Sequence, residues 1–435
     1  MPQLAQGLRL DLSNPLARHV ELGADLFQRS LTSVFQAEAQ AQHTLLARAQ
    51  RLRGALGIGR RIAHEGPLQE IGGQSRLDVG AALRHHADRS DERVRGMASH
   101  FVWTNRSKES LTLDLKHPQA LSALMKLLAR ADVLVQNLAP GAAARMGLSY
   151  EALHAAWPRL IVCDISGYGD NGPYRDKKAY DLLIQSEAGF LSVTGTPETP
   201  SKAGNSVADI AAGMYAYTNI LSALLLRGKT GQGSHIDVSM LEALSEWMSF
   251  PMYYAYEGAP APVRAGASHA SIYPYGPFPA GDGGTVMLGL QNEREWKIFC
   301  DQVLQQPALT TDDLFASNSL RHQHRQALYE LIQQSFATPS TSEVVQRLED
   351  AGIANARMND MAGLWSHPQL QARDRWRTVG SPAGPIPALL PPGRNNTYDY
   401  RMDAVPQVGE HTQAILHELG LGEAEVAALR QAQAI

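Results

Sequence analysis

Two aspartates have the residue type and setting to do covalent chemistry. Asp209 lies in SVADIAAGM (206–214), flanked by Val207, Ala208, Ile210 and Ala211. Small apolar neighbours of this kind are consistent with partial burial. There a carboxylate sheds the hydration that blunts its nucleophilicity. The simpler reading is an aspartate capping a helix that starts at Val207. Both can hold, because a helix start also supplies N–H dipoles. Asp181, in AYDLL (179–183), is a second acid. Two carboxylates in one site can divide roles, one attacking and one orienting or relaying a proton. Its alternative is an ordinary acid in the first turn of a helix. Tyr180 sits just before it, and a phenol with a pKa of about 10 is a poor base at neutral pH.

Among the cations, Arg145 offers a forked, permanent charge suited to phosphate. Lys108 and Lys178 are further candidates for phosphate contact, against the common alternative of a solvated surface lysine. Only two cysteines occur, Cys163 and Cys300, both in apolar contexts. They give no zinc spacing and no disulfide framework, so they read as buried thiols and no metal is expected.

These groups need elements to position them. The chain has 435 residues, enough for two or three domains of about 100–200 residues each, with hydrophobic residues at 44% and charged residues at 19%, an ordinary globular balance. Net charge is −4, which gives no global basic field for nucleic acid or anionic membrane. No continuous apolar run reaches the ~18 residues that span a bilayer, and the start lacks the basic-then-apolar order of a secretory signal, so a cytoplasmic location is the default expectation.

Residues 1–96 read differently from the rest: they hold thirteen arginines, and the first lysine is Lys108. Leu, Phe and Val recur at helical spacing over 25–56. A GxxGxG string (Gly54, Gly57, Gly59) follows no convincing strand and reads as a helix end. From residue 101 the pattern changes. Leu111, Leu113 and Leu115 alternate as in a strand. Pro118 opens a helix to Ala131. Ala131 to Asn137 and Leu160 to Ser166 read as buried parallel strands, separated by a helix that Ser149 caps. Strand, helix, strand, helix, strand implies βαβ units, whose ligands bind beyond the carboxyl ends of the strands, here after Asn137 and Ser166. A long helix from Val207 to Leu226, a strand at His235–Val238 and a helix at Met240–Phe250 follow. Residues 256–284 and 376–396, rich in Gly and Pro, read as linkers around a second unit that holds the strand TVMLGL. Two short helices, near 411–419 and 423–432, close the chain.

Eight segments, in uninterrupted order from about residue 100 to the end, resemble the class III (CaiB/BaiF) CoA-transferase family. They are NRSKESLTLDLKHPQ (105–119), DVLVQNLAPGAAARMGL (132–148), DISGYGDNGPY (164–174), AYDLLIQSEAGFLSVTG (179–195), SVADIAAGMYA (206–216), LLRGKTGQGSHIDVSMLEAL (225–244), SIYPYGPFPAGDGGTVMLGLQNEREW (271–296) and VGEHTQAILHELGL (408–421). The resemblance implies an α/β fold: a Rossmann-like parallel-sheet large domain with an inserted smaller α+β domain, in an intertwined homodimer. It divides the chain into an atypical N-terminal segment (1–100), a large domain (101–255), a small domain with its linkers (256–375) and a C-terminal return (376–435).

By the same resemblance Asp209 is the nucleophile, forming an acyl-aspartyl anhydride and then an aspartyl-CoA thioester, with Asp181 a second acid near the reacting carbonyl. Asn137, Arg145 and Met146 match positions lining the CoA pantetheine and nucleotide. Lys108, Lys178 and Tyr180 are further candidates for the CoA site. Coenzyme A enters as substrate, with no tightly bound cofactor, and the partners are an acyl-CoA and a small, possibly dicarboxylic, acid. Residues 266–276 match a mobile loop that family members close over the reacting centre. Here it carries Ser268, His269 and Tyr275, candidates for a distal carboxylate. Gln291 and Asn292 match a polar strand end that contacts the same loop, and Glu410 and His411 read as a helix-start cap. Racemases of the superfamily carry a His where this chain has Tyr180, which disfavours racemase or epimerase chemistry. The rival outside enzymology is a non-catalytic CoA-binding relic. The N-terminus departs from the pattern: 7–13 and 21–26 match only fragments of the family's opening. Residues 1–96 are either a divergent extension or the product of an altered reading frame in a GC-rich gene, so no CoA contact is carried onto them.

Overall fold

The structure is a computed structural model, and it describes residues 93–435. The readings placed on 7–13, 21–26, 25–56 and 54–59 lie outside the described residues.

Three short strands form the sheet that carries the site. Helix α1 (Pro118–Leu128) has proline in its first turn, where a missing N–H leaves no bond unmade. Strand β1 (Val133–Gln136) follows. Ser149 then caps helix α2 (Tyr150–Ala156) by accepting from the Ala152 N–H. Strand β2 (Ile161–Ser166) runs parallel to β1, with Gln136 opposite Asp164. Helices α3 (Asp181–Glu187) and α4 (Val207–Thr230) come next, and strand β3 (His235–Ser239) pairs parallel with β2, setting Asp164 opposite Asp237. The order β1-β2-β3 agrees with the βαβ reading. Helix α5 (Met240–Trp247) leaves β3 directly, capped by Ser239.

Helix α4 corrects two expectations. It runs past Leu226 to Thr230 and stops where Gly231 turns left-handed at φ 76°. It is also long and apolar enough to cross a membrane by length and composition alone. Its scattered Tyr, Thr, Asn and Ser break a strictly apolar run but carry little charge. One side of it, Ala211, Ala212 and Ala216, packs closely with Cys163 and Val238 of the sheet and Ala243 of α5.

A second core spans residues 273–353. Strands β4 (Tyr275–Pro279), β5 (Thr285–Gly289) and β6 (Ala354–Arg357) form an antiparallel sheet, with Phe278, Trp296, Phe299, Ile332, Phe336 and Leu348 buried beneath it. Both stretches expected to be linkers contain strands. Tyr275–Pro279 forms β4 at the sheet edge, where prolines lose no ladder bond. Residues 376–389 form a hairpin of β7 (Trp376–Val379) and β8 (Ile386–Leu389). Residues 110–115, expected to be a strand, join no ladder. Their N–H groups bond instead to the C-terminal segment: Ser110 to His411 Nδ1, Thr112 to Thr412 Oγ1 and Asp114 to the Ala434 carbonyl. Leu113 and Leu115 are buried beside Ile415, Leu416 and Leu429, so the end of the chain packs in the same core as α1, β1 and α2.

Candidate active site

The floor of the site is a small apolar cluster: Ile184 of α3, Ala208 of α4 and Leu244 of α5, all fully buried, with Tyr168, Ala179 and Val207 packed around them. Gly167 brings the end of β2 against this floor, since a Cβ there would lie 2.2 Å from that of Ala179. The strand end is thereby pressed onto the segment that delivers Tyr180 and Asp181.

Asp181 and Asp209 meet over this floor. Asp181 Oδ1 accepts from the N–H of Ala208 at 2.7 Å and from that of Asp209 at 3.3 Å. Ser206, at the N-cap position of α4, makes no side-chain cap, so the cap comes from the neighbouring helix instead. Asp209 is therefore not the cap of its own helix. It stands in the first turn, in the positive field of the helix start. Gln185 Nε2 donates to Asp181 Oδ2 at 2.5 Å, while Gln185 Oε1 accepts from the Ala203 N–H at 2.9 Å. Nothing in the segment AYDLL marks Gln185; its importance appears only once the 199–206 turn folds over it.

Partial burial of Asp209 is not what the single chain shows: the residue is exposed. Helical periodicity explains this, because Ala208, Ala211 and Ala212 take the inward face and residue 209 falls outside it. Its acidity is shifted nonetheless. Loss of hydration and the Asp181 charge push the Asp209 pKa up to about 6, with His100 opposing. Solvent on the open side screens part of this effect.

The structure places the remaining candidates in two groups. Tyr180 and Lys178 are exposed and adjoin Asp181 in sequence. Asn137, Arg145 and Met146 lie beyond the carboxyl end of β1, as the topology requires. Asn137 Oδ1 is buried with no hydrogen-bond partner among the described residues, and Arg145 is exposed. Beside them Gln136 donates to Asp164 at 2.7 Å, and Asp164 pairs with His235 at 2.8 Å. Lys108 is half-buried, and loss of hydration lowers its pKa.

Several expected contacts resolve into structural ones. His269 Nδ1 accepts from the N–H groups of Ser271 and Ile272, and its ring stacks on Tyr275 at 5.2 Å. Asn292 caps the helix Glu293–Ile298, with Glu295 accepting from the Gln291 N–H. His411 stands at the N-cap position of the helix Thr412–Glu418, but its Nδ1 accepts from the Ser110 N–H instead of capping with its side chain. Cys163 and Cys300 are buried, with thiol pKa values pushed up to about 12 mainly by desolvation. Among the described residues no group of three or more His, Cys, Asp or Glu could hold a metal.

A family model described as CoA-transferase family III matches residues 77–412. The chain belongs to this family and is a CoA-transferase. Its similarity to a succinate–glutarate CoA-transferase of Agrobacterium fabrum is 32% identity, over 74% of this chain and 81% of that protein. An acetyl-CoA:oxalate CoA-transferase of Acetobacter aceti is 30% identical, over 75% of this chain and 83% of that protein. A CaiB/BaiF family protein from Brucella suis, solved by crystallography, superimposes with a TM-score of 0.68 at 33% identity, covering 74% of this chain and 84% of that one. The mixed α/β architecture with its parallel three-stranded sheet is thus that of the CaiB/BaiF fold, and CoA thioesters are the substrates of the chemistry.

Proposed function

We propose that this CoA-transferase moves CoA from an acyl-CoA to a short dicarboxylic acid, with Asp209 as nucleophile. The observation that carries the reading is a carboxylate of raised pKa, set at a helix start whose first amides are already capped by a neighbouring acid. In the first step Asp209 attacks the thioester carbonyl, the C–S bond breaks, and CoA leaves as thiolate. The thiolate then attacks the aspartyl carbonyl of the mixed anhydride. The donor acid leaves and an aspartyl-CoA thioester remains. The acceptor carboxylate attacks that thioester and again expels thiolate, which attacks the acceptor's acyl carbon and regenerates Asp209. The two carboxylate attacks each need an ionised carboxylate with little water around it, and the two intervening attacks are made by the CoA thiolate. Asp181 keeps the α4 amides from solvating Asp209, a supporting role rather than a proton relay, because its oxygens are already used as acceptors.

Asn137, Arg145, Met146, Lys108, Lys178 and Tyr180 form the proposed CoA-binding set. The unmet acceptor on Asn137 and the desolvated charge of Lys108 each fit a ligand that supplies an N–H and a phosphate. The dicarboxylic preference draws on the succinate, glutarate and oxalate named for the relatives. The working enzyme is proposed to be an intertwined homodimer with residues 256–375 inserted as a smaller domain, acting in the cytoplasm. The large apolar side chains exposed around the site support a dimer: Leu182 and Leu183 of α3, Met214, Tyr217 and Leu221 of α4, and Phe250 just beyond α5. A face of this kind marks a protein contact. Covering it would also dry the open side of Asp209.

The test pairs succinyl-CoA with glutarate, oxalate or mesaconate and follows CoA exchange, with mass in solution measured by light scattering. Transfer lost in Asp209→Asn supports the reading. Deuterium exchange at the α-carbon without CoA exchange would support racemase chemistry instead, and CoA binding without either would support the relic.

A further inference from the structure

Gln185 is the most completely buried polar side chain beside the reacting centre, with no exposure to solvent, and nothing in the proposed reaction uses it. Its amide faces two groups of opposite demand. The Ala203 N–H can only donate, so the amide oxygen must lie there, at 2.9 Å. The NH2 group must then face Asp181, at 2.5 Å. Asp181 receives donors on both oxygens, from Gln185 on one and from the Ala208 and Asp209 amides on the other. The turn that leads into α4 is braced at the same time. Gly195 pairs with Pro200, and a Cβ at Gly195 would meet the Thr199 carbonyl at 2.3 Å, so this turn has one tight geometry. Gln185 ties its outgoing end, at Ala203, to the acid that caps α4.

We propose that Gln185 is a positioning residue for the transfer reaction: it locks Asp181 in place as the cap of α4 and fixes the 199–206 turn, and so sets the place and direction of Asp209. This rests on Asp209 being the nucleophile. The chain of bonds is Ala203 N–H to Gln185, Gln185 to Asp181, and Asp181 to the amides of Ala208 and Asp209. Breaking it leaves buried donors unmet and frees the first turn of α4 to shift. A shift of a fraction of an ångström in a nucleophile lowers the chemical step more than it lowers substrate binding.

The bond polarity allows a swap. In Asp181→Asn the new amide can still accept from the α4 N–H groups, but its NH2 meets the NH2 of Gln185. In Gln185→Glu two carboxylates face each other. In the double variant Asp181→Asn/Gln185→Glu every donor again meets an acceptor, with the charge moved by one bond length of the chain. Each single variant should lower kcat roughly 10- to 100-fold, with the KM for acyl-CoA within about threefold. The double variant should recover to within about tenfold of the parent, far above the product of the two single losses. A double variant no better than that product, or single variants with parental kcat, overturns the proposal. Circular dichroism and thermal midpoints are recorded for all. Should a single variant not fold, Gln185→Met keeps the shape and removes both bonds: kcat reduced about tenfold with a displaced acid limb of the pH profile is expected, and parental kcat and pH profile overturn the proposal. If Asp209→Asn retains turnover, the nucleophile assignment itself has failed. If Asp209 is essential and labelled by substrate yet the swap recovers nothing, only the role of Gln185 has failed.

Discussion

Arg321 and Asp209 are both charged groups set against apolar floors, and their surroundings treat them in opposite ways. Arg321 is 3% exposed, with hydrogen bonds from all three of its nitrogens. Its guanidinium reaches both oxygens of Glu293 at 2.8 and 2.9 Å, donates to the carbonyls of Tyr273 and Phe315, and lies 4.8 Å over the Trp296 ring. Glu293 is lowered in pKa chiefly by the Arg321 hydrogen bond. Glu293 is thereby stabilised in its charged form, which is what a scaffold requires. Asp209 is held against its preference, with a second carboxylate nearby and its helix amides claimed by that neighbour. The difference teaches where to look for reactivity. The Arg321–Glu293 pair braces the lobe at 273–353 with its charges matched, while Asp209 and the unmet Asn137 Oδ1 stand by the proposed site.

The comparison can be broken by substitution at both ends. Asp209→Asn should reduce CoA transfer by about a thousandfold or more, measured as kcat, because it removes the proposed nucleophile. Its thermal midpoint above pH 7 should equal or exceed the parent's. The sign follows from linkage: the folded pKa lies above the unfolded value, so ionising Asp209 between about pH 4 and 6 weakens the fold, and removing the charge relieves this. Arg321→Met should do the reverse, losing about 2–4 kcal/mol of stability in denaturant titrations while the kcat of the folded fraction stays near the parent's. If Arg321→Met abolished kcat in folded protein, the division between scaffold and site would fail.

Two smaller effects sharpen the same contrast. The kcat/KM of the parent should fall about tenfold per pH unit below about pH 6, as the nucleophile takes up its proton, and Asp181→Asn should move this limb to lower pH because one cause of the raised pKa is gone. Lys108→Met should weaken CoA binding about three- to tenfold by calorimetry, with little change in kcat, because a phosphate contact acts on ground state and transition state alike.

Much of this arrangement is legible in the residues. The strands at 133–136 and 161–166 follow from short apolar runs between turn signals, and the helix at 207 from its spacing. Asp181 and Asp209 can be picked out by residue type and motif. What the linear order hides is partnership. The cap on α4 comes from Asp181, not from a residue beside the helix start, and the Leu111–Leu115 alternation is satisfied by the C-terminal segment, not by a strand ladder. Proline-rich stretches concealed β4 and the β7–β8 hairpin because edge positions remove the usual penalty for proline. The exposure of Asp209 follows from which side of α4 takes the alanines. Flanking composition alone does not fix that face.

Mass spectrometry of the intact enzyme quenched with hydroxylamine or borohydride during turnover with succinyl-CoA tests the central claim most directly. Hydroxamate or reduced-alcohol label confined to the peptide carrying Asp209, and lost in Asp209→Asn, is the result this account predicts. Label on another residue, or steady CoA transfer with an unmodified Asp209 peptide under trapping conditions, would contradict it.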